Sequence, residues 1–417
     1  MKRYLTTFVA VAMLVGLALT IGCQRAVEPV NDVVEPPPPD VSPEDLSALV
    51  EGNNQFSLDL YKKLAETEKG NIFFSPYSIS SALAMTYAGA RGQTAEEMAK
   101  VLHFTLPQQK LHAALGGLTK SLQTAGKNRR YQLNIANSIW AQRGMQLVPE
   151  FLDITGNSYG ACVREVDFAN SDEARDTINR WVGQQTDDKI KELLKAGDVD
   201  PSVRLILTNA VYFRGNWKQQ FDPTHTKPGN FETKPGLEVL VPMMFHEEMK
   251  VRTSQSPTFS LIEIPYVGGR YQMIFLLPLK RSGLREVEEK LTAEQLRAAI
   301  AQLKPSTMSI VVPRFQFRRS YSLNDELQKL GMLTPFSESS ANFSGMTSSA
   351  NIYISRVVHQ ASIEVDETGA IATAATAVVM REVSLKMPVR IDQPFVCLIR
   401  DASTDTIVFL GRVSDPR

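Results

Sequence analysis

The stretch EVDETGAIATAATAVVM, Glu364–Met380, decides how this chain is read. It opens on charges, pivots at Gly369, and carries no further charged residue until Arg381. Seven of the eleven residues between are Ala or Thr. Such a run traces neither an amphipathic helix face nor the alternation of a half-buried strand. A segment this small and uncharged, so near the C-terminus, asks what the rest of the chain builds around it.

Away from that ribbon the composition is that of a globular protein. The 417 residues suffice for one large domain or two ordinary ones. Lys+Arg and Asp+Glu both number 45, and no dense basic cluster stands out, so nothing favours a nucleic-acid or polyanion partner. Three cysteines, Cys23, Cys162 and Cys397, cannot build a disulfide scaffold.

The N-terminus reads as a targeting device. Lys2 and Arg3 precede the apolar run LTTFVAVAMLVGLALTIG, which ends at Cys23. A charged start followed by an apolar stretch is the layout of an export signal. It resembles a bacterial lipoprotein signal, with Thr20 standing where Leu is usual. That resemblance implies removal of residues 1–22, lipidation of Cys23 and an exported, membrane-anchored protein at the cell surface or in the periplasm, with plain secretion as the alternative. Residues 23–45 include VEPPPPDVSPED, whose consecutive prolines favour extended polyproline II and read as a tether. Cys162 and Cys397 are then expected to be buried thiols.

Residues 46–417 show no repeat and no second linker, and are expected to form one body. Phe56, Leu60 and Leu64 recur at helical spacing. Ser75 is placed to cap a helix whose first residue is Pro76. Thr94 and Glu97 fit the spacing of a capping box for the helix after it. YQLNIANSIWAQ is β-rich, and VRLILTNAVYFRGNW (Val203–Trp217) is an apolar run suited to a central strand covered on both faces. YQMIFLLPL and STMSIVVPRFQF look similar, SLNDELQKLGM reads as a short helix, and RIDQPFVCLIRDASTDTIVFLGRV reads as two strands around a polar turn. Helices first and large sheets afterwards make an α+β pattern.

Catalytic motifs do not emerge. S-x-x-K, C-x-x-C, G-x-G-x-x-G and the P-loop are all absent. His246 lies in HEEMK, which lacks the second histidine of a zinc helix, and the other four histidines (His103, His112, His225, His359) are not spaced for a metal. An enzyme, a metal and a cofactor are therefore not expected.

The opening stretch, by contrast, resembles the hinge of the serpins, a family of protease inhibitors. Further likenesses cover the whole body. NIFFSPYSISSALAMTYAGARGQTAEEM (Asn71–Met98) is similar to the family's early helix pair, and LTNAVYFRGNWKQQF (Leu207–Phe221) to a central strand with its breach. VPMM (Val241–Met244), VPRF (Val312–Phe315), VRIDQPFVCLIR (Val389–Arg400) and FLGRV (Phe409–Val413) follow in the family's order. The resemblance implies helices packed on three β-sheets with an exposed C-terminal reactive loop at about 367–388. It implies a monomer that traps serine proteases: the loop is cut as bait, then enters the main sheet as a new strand with the protease still ester-linked to it. A non-inhibitory binding protein of the same fold, or an inhibitor of cysteine proteases, is the alternative.

The ribbon then makes sense. Its hinge is Glu367, Gly369, Ala370, Ala372, Ala374 and Ala375, with Gly369 the pivot. As a strand, it sends Ala370, Ala372, Ala374, Thr376, Val378 and Met380 to one face, all of them small or apolar, and Arg381 to the other. Ala370 and Thr373 depart from the family's usual residues, yet both stay small. Counting from Glu367 in the family's common loop length puts the cut between Val383 and Ser384. A medium-sized, β-branched Val suits an elastase-like enzyme. Arg381 instead would select trypsin-like proteases, and Met380 or Leu385 chymotrypsin-like ones. The resemblance also assigns His359 and Asn209 to a shutter near Ser75 and Ser78, and Trp217 to the breach.

Overall fold

Ser42 stops the proline-rich leader. Its Oγ accepts a hydrogen bond from the Asp45 N–H at 3.1 Å, with Pro43 in the first turn, and so starts helix α1 (Pro43–Thr67). The ordered body thus begins inside the span expected to be tether. The computed structural model describes residues 41–126, 131–159, 163–348, 352–369 and 387–417. The expected signal, Cys23 and Cys162 lie outside the described residues. So do Ala370, Ala372, Ala374, Ala375, Met380, Arg381, Val383, Ser384 and Leu385.

Along the chain follow β1 (Ile72–Phe74), α2 (Pro76–Tyr87), α3 (Gly92–Val101), α4 (Gln108–Gly126), β2 (Tyr131–Gln142), α5 (Pro149–Tyr159), β3 (Arg164–Val166), α6 (Ser171–Gln185) and β4 (Leu205–Gly215). The second half holds β5 (Lys227–Lys234), β6 (Leu237–Gln255), β7 (Phe259–Pro265), β8 (Tyr271–Pro278), α7 (Leu284–Lys290), α8 (Ala293–Ala301), β9 (Lys304–Pro313), β10 (Phe315–Ser322), α9 (Asn324–Lys329), β11 (Arg356–Val365), β12 (Val389–Arg390), β13 (Phe395–Asp401) and β14 (Thr406–Val413). Helices and strands interleave, where the sequence suggested helices first.

The α+β expectation holds, and the strands join differently from the three sheets foreseen. Among the described residues there are two hydrogen-bonded networks, one of nine strands and one of five. β6 is the reason. It pairs with β5 from Leu237 to Met243, with β9 from Met243 to Thr253 and with β7 from Arg252 to Gln255, and a register shift between His246 and Met249 bends it. One long strand therefore fuses what would be two sheets.

The five-stranded sheet runs β10-β11-β4-β2-β3. β4 is buried at every position except Arg214, as its apolar run foretold. Helix α2 packs against β2 and β4 on one side and β14 on the other, and all its residues are buried. On the opposite face α6 sets Ile178 and Val182 over Ala136, Trp140, Ile206, Ala210 and Val358.

The capping box at Thr94 and Glu97 does not form. α3 starts two residues earlier at Gly92, whose φ of +53° makes the turn. Thr94 Oγ1 instead accepts from the Asn342 N–H at 2.9 Å. The Glu97 carboxylate takes both N–H groups of Leu333 and Thr334 at 2.8 and 2.6 Å. Tertiary partners claimed a pattern that looked local.

Candidate functional site

β4 and β11 lie side by side in parallel, paired from Arg356↔Ile206 to Ser362↔Tyr212. In that register His359 faces Asn209, Asn209 faces Asn137 of β2, and Tyr321 of β10 faces His359. A polar row thus crosses four strands beneath α2. His359 Nε2 accepts from the Ser75 N–H at 3.1 Å, so its proton sits on Nδ1 and is donated to Asn209 Oδ1. Asn209 Nδ2 donates in turn to Ser78 Oγ and Asn137 Oδ1. Asn137 Nδ2 closes the ring on the Ser78 carbonyl at 3.2 Å.

Most of this network is buried, Asn137 alone being partly exposed. Ser75, Ser78, Asn209 and His359 are all fully buried. Burial drives the His359 pKa down to about 3, so the imidazole is neutral at physiological pH. Tyr321 stacks on the imidazole with ring centroids 6.3 Å apart, and its hydroxyl accepts from the Phe73 N–H at 3.1 Å. Ser75, Ser78, Asn209 and His359, which the family resemblance groups, lie together in this network. The sequence reading missed Asn137 and Tyr321, which the strand register alone reveals.

At one end of the same seam the chain leaving β11 carries Glu367 and Gly369, the described residues of the expected hinge. Trp217, at the end of β4, donates its Nε1–H to the Asp366 carbonyl at 2.8 Å and its backbone N–H to the Thr368 carbonyl at 3.1 Å. Its ring stacks on Tyr266, centroids 4.5 Å apart. The Phe221 N–H reaches the Glu367 carbonyl at 2.8 Å. Glu367 was expected at the start of an exposed loop, but it is docked. Its carboxylate accepts from Thr226 Oγ1 at 2.7 Å and lies 3.5 Å from Arg314 Nη1.

Gly369 has φ +72°, and a Cβ there would stand 2.4 Å from the Gly215 carbonyl oxygen. Both the backbone conformation and the space require glycine. Trp217, Glu367 and Gly369 therefore gather at one point, with Asp366, Thr226, Arg314 and Tyr266 as supports that sequence reading did not find. Cys397 is buried, which pushes its thiol up to about 12.

The chain after Gly369 is held at its far end too, where β12 pairs with β9 in the other sheet. A segment that turned back at Gly369 to lie between β11 and β4 would run antiparallel to both. It would replace one parallel ladder with two antiparallel ones, the more stable pairing per residue.

Residues 51–416 match the family model described as "Serpin (serine protease inhibitor)". The human leukocyte elastase inhibitor is 38% identical over 394 residues, covering 89% of this chain and all of that protein. Human serpin B8 is 37% identical over 375 residues, covering 88% and 99%. Among solved structures, uncleaved ovalbumin aligns with a TM-score of 0.80 at 28% identity, over 88% of this chain and 100% of that one. Human thyroxine-binding globulin in complex with thyroxine aligns with a TM-score of 0.80 at 30% identity, over 89% and 99%.

Proposed function

The chain belongs to the serpin family, and from that premise we propose that it is a suicide-type inhibitor of serine proteases. The observation that carries this reading is the closed β4–β11 seam with a hinge anchored at its end. An intact loop is tied at both Gly369 and β12, so it cannot enter the seam along its length. Cutting it frees the part attached to the hinge. The protease's serine, ester-linked to the residue before the cut, is then carried along with that part.

The bait bond we assign is Val383–Ser384. Its support is the count from Glu367 and the shape of valine, which fits a shallow apolar pocket. An elastase-like protease is accordingly the first target, in keeping with the name of the human relative. Arg381, Met380 and Leu385 remain the alternative positions for trypsin-like and chymotrypsin-like enzymes. Mixing the protein with elastase, trypsin and chymotrypsin and separating the products on denaturing gels tests all of these. Trapping gives an SDS-resistant band at the summed mass, with the released peptide starting at Ser384. Cleaved protein beside free active protease would mark a substrate only, and a band formed with cysteine proteases alone would move the target class.

For the N-terminus we infer lipidation at Cys23 and a membrane anchor carrying the body on a short tether. The sequence of residues 1–45 supports this, and the family match begins only at residue 51. Cys23→Ala should release the protein from the membrane fraction; unchanged fractionation would end the anchor reading.

A further inference from the structure

Between α6 and the β2–β3 edge of the five-stranded sheet lies a groove that loop trapping does not use. Trp140, Arg164, Glu165, Thr177, Arg180 and Trp181 line it, around a volume of about 490 Å³. The guanidinium carbon of Arg164 stands 4.9 Å from the centre of the Trp181 ring and 5.8 Å from that of Trp140. The two indoles meet edge to face, 5.6 Å apart. Stacking of this kind engages the faces of a guanidinium and leaves its in-plane N–H donors to be satisfied.

The Nε donor of Arg164 lacks a partner among the described residues. Among the described residues neither Arg164 nor Arg180 forms an ion pair; on α6 it is Arg175 that pairs with Asp172 and Asp176. Glu165 is engaged by the Gly144 N–H at 3.2 Å. Arg164 Nε and Trp181 Nε1 are buried with no hydrogen-bond acceptor, whereas Trp140 Nε1 donates to Thr208 Oγ1 at 2.9 Å. Buried donors are ordinarily satisfied, so these two orphans, with the exposed Arg180 guanidinium beside them, call for an acceptor from outside.

We propose that this groove binds a small aromatic carboxylate. Its volume falls within the range of about 300–1,000 Å³ usual for small-molecule sites. A carboxylate matches the fork of a guanidinium, and an aromatic ring matches the open indole surface. Glu165 on the same wall disfavours phosphates and other multiply charged anions. The bound molecule would bridge α6 to β2 and β3.

The test uses intact protein, 2-naphthoate as probe, and both calorimetry and tryptophan emission as readouts. The expected result is saturable one-to-one binding. It should be at least about tenfold weaker for 2-naphthol, which lacks the charge, and for acetate, which lacks the ring. Arg180→Gln and Arg164→Gln should each weaken naphthoate binding about tenfold, while Arg175→Gln leaves it unchanged. Arg180 is exposed, so its variant keeps the test valid if Arg164→Gln fails to fold. Non-saturable naphthoate binding, equal affinity for naphthol, or full affinity in Arg180→Gln would each overturn the proposal.

Discussion

His359 stands directly opposite Asn209 across the β11–β4 seam, and each side chain is a hydrogen-bond partner of the other. Inserting a strand there separates the neighbours by about a further 4.8 Å, which no rearrangement of side chains spans. The contact therefore belongs to the closed sheet alone. Asn209→Ala leaves His359 Nδ1–H buried without its partner, at about 1–3 kcal/mol. Urea unfolding of the intact protein should register that loss, and unfolding of loop-cleaved protein should register less. Equal losses in both forms would show that the pair does not guard the seam.

Acid should weaken the intact form through the same imidazole. Burial lowers His359 to about 3 and His112, which is hydrogen-bonded to Tyr159, to about 4. Each is neutral when folded but takes a proton in the unfolded chain below about 6.5. Their stabilisation is complete above that pH and is lost as pH falls through 6.5 towards 4 and 3. Each contributes up to about 1.4 kcal/mol per pH unit in that window. Denaturation series at pH 7, 6 and 5 measure the slope. A His359→Gln variant should flatten it, and an unchanged slope would clear this histidine.

Gly369→Ala should disturb the docked hinge. The left-handed backbone costs about 1–2 kcal/mol for a residue with a Cβ. Contact with the Gly215 carbonyl adds to it. The intact protein should lose roughly 1–3 kcal/mol, with a change in Trp217 emission as Thr368 and Asp366 shift away. An unperturbed emission spectrum would mean that the hinge is not held against Trp217.

A strap after α6 should act as a brake on opening. The Asp187 carboxylate accepts from Gln132 and Asn134 of β2 at 2.7 and 3.0 Å. Two residues on, the Lys189 carbonyl accepts from Arg318 of β10 at 2.6 Å. These anchors lie on opposite sides of the seam and cannot both persist once it widens. Asp187→Ala and Arg318→Ala should each speed trapping and lower the fraction of inhibitor consumed as substrate. The stability cost should stay at about 0.5–1.5 kcal/mol or less, because all three bonds are exposed. Slower trapping would reverse the assignment.

Much of the seam was readable because its signals are local. Ser75 before Pro76, the uninterrupted apolar run of β4 and the pivot at Gly369 each follow from the chemistry of neighbouring residues. His359 and Asn209, 150 residues apart, were joined only through family resemblance. Asn137 and Tyr321 enter by strand register, which no single segment encodes. Thr226 and Arg314 reach Glu367 from different loops and carry no motif. The misread capping box shows the converse: Thr94 and Glu97 have the right spacing, and long-range partners outbid it. The bend that lets β6 serve two sheets is likewise a property of its neighbours.

The spring itself is tested by one calorimetric comparison. Intact protein and protein nicked within residues 370–386 should be heated under identical conditions. A nicked form that unfolds at a clearly higher temperature means that the freed segment has joined the sheet and released stored strain. A nicked form that unfolds at the same temperature or lower means that nothing was inserted, and the inhibitory mechanism falls with it.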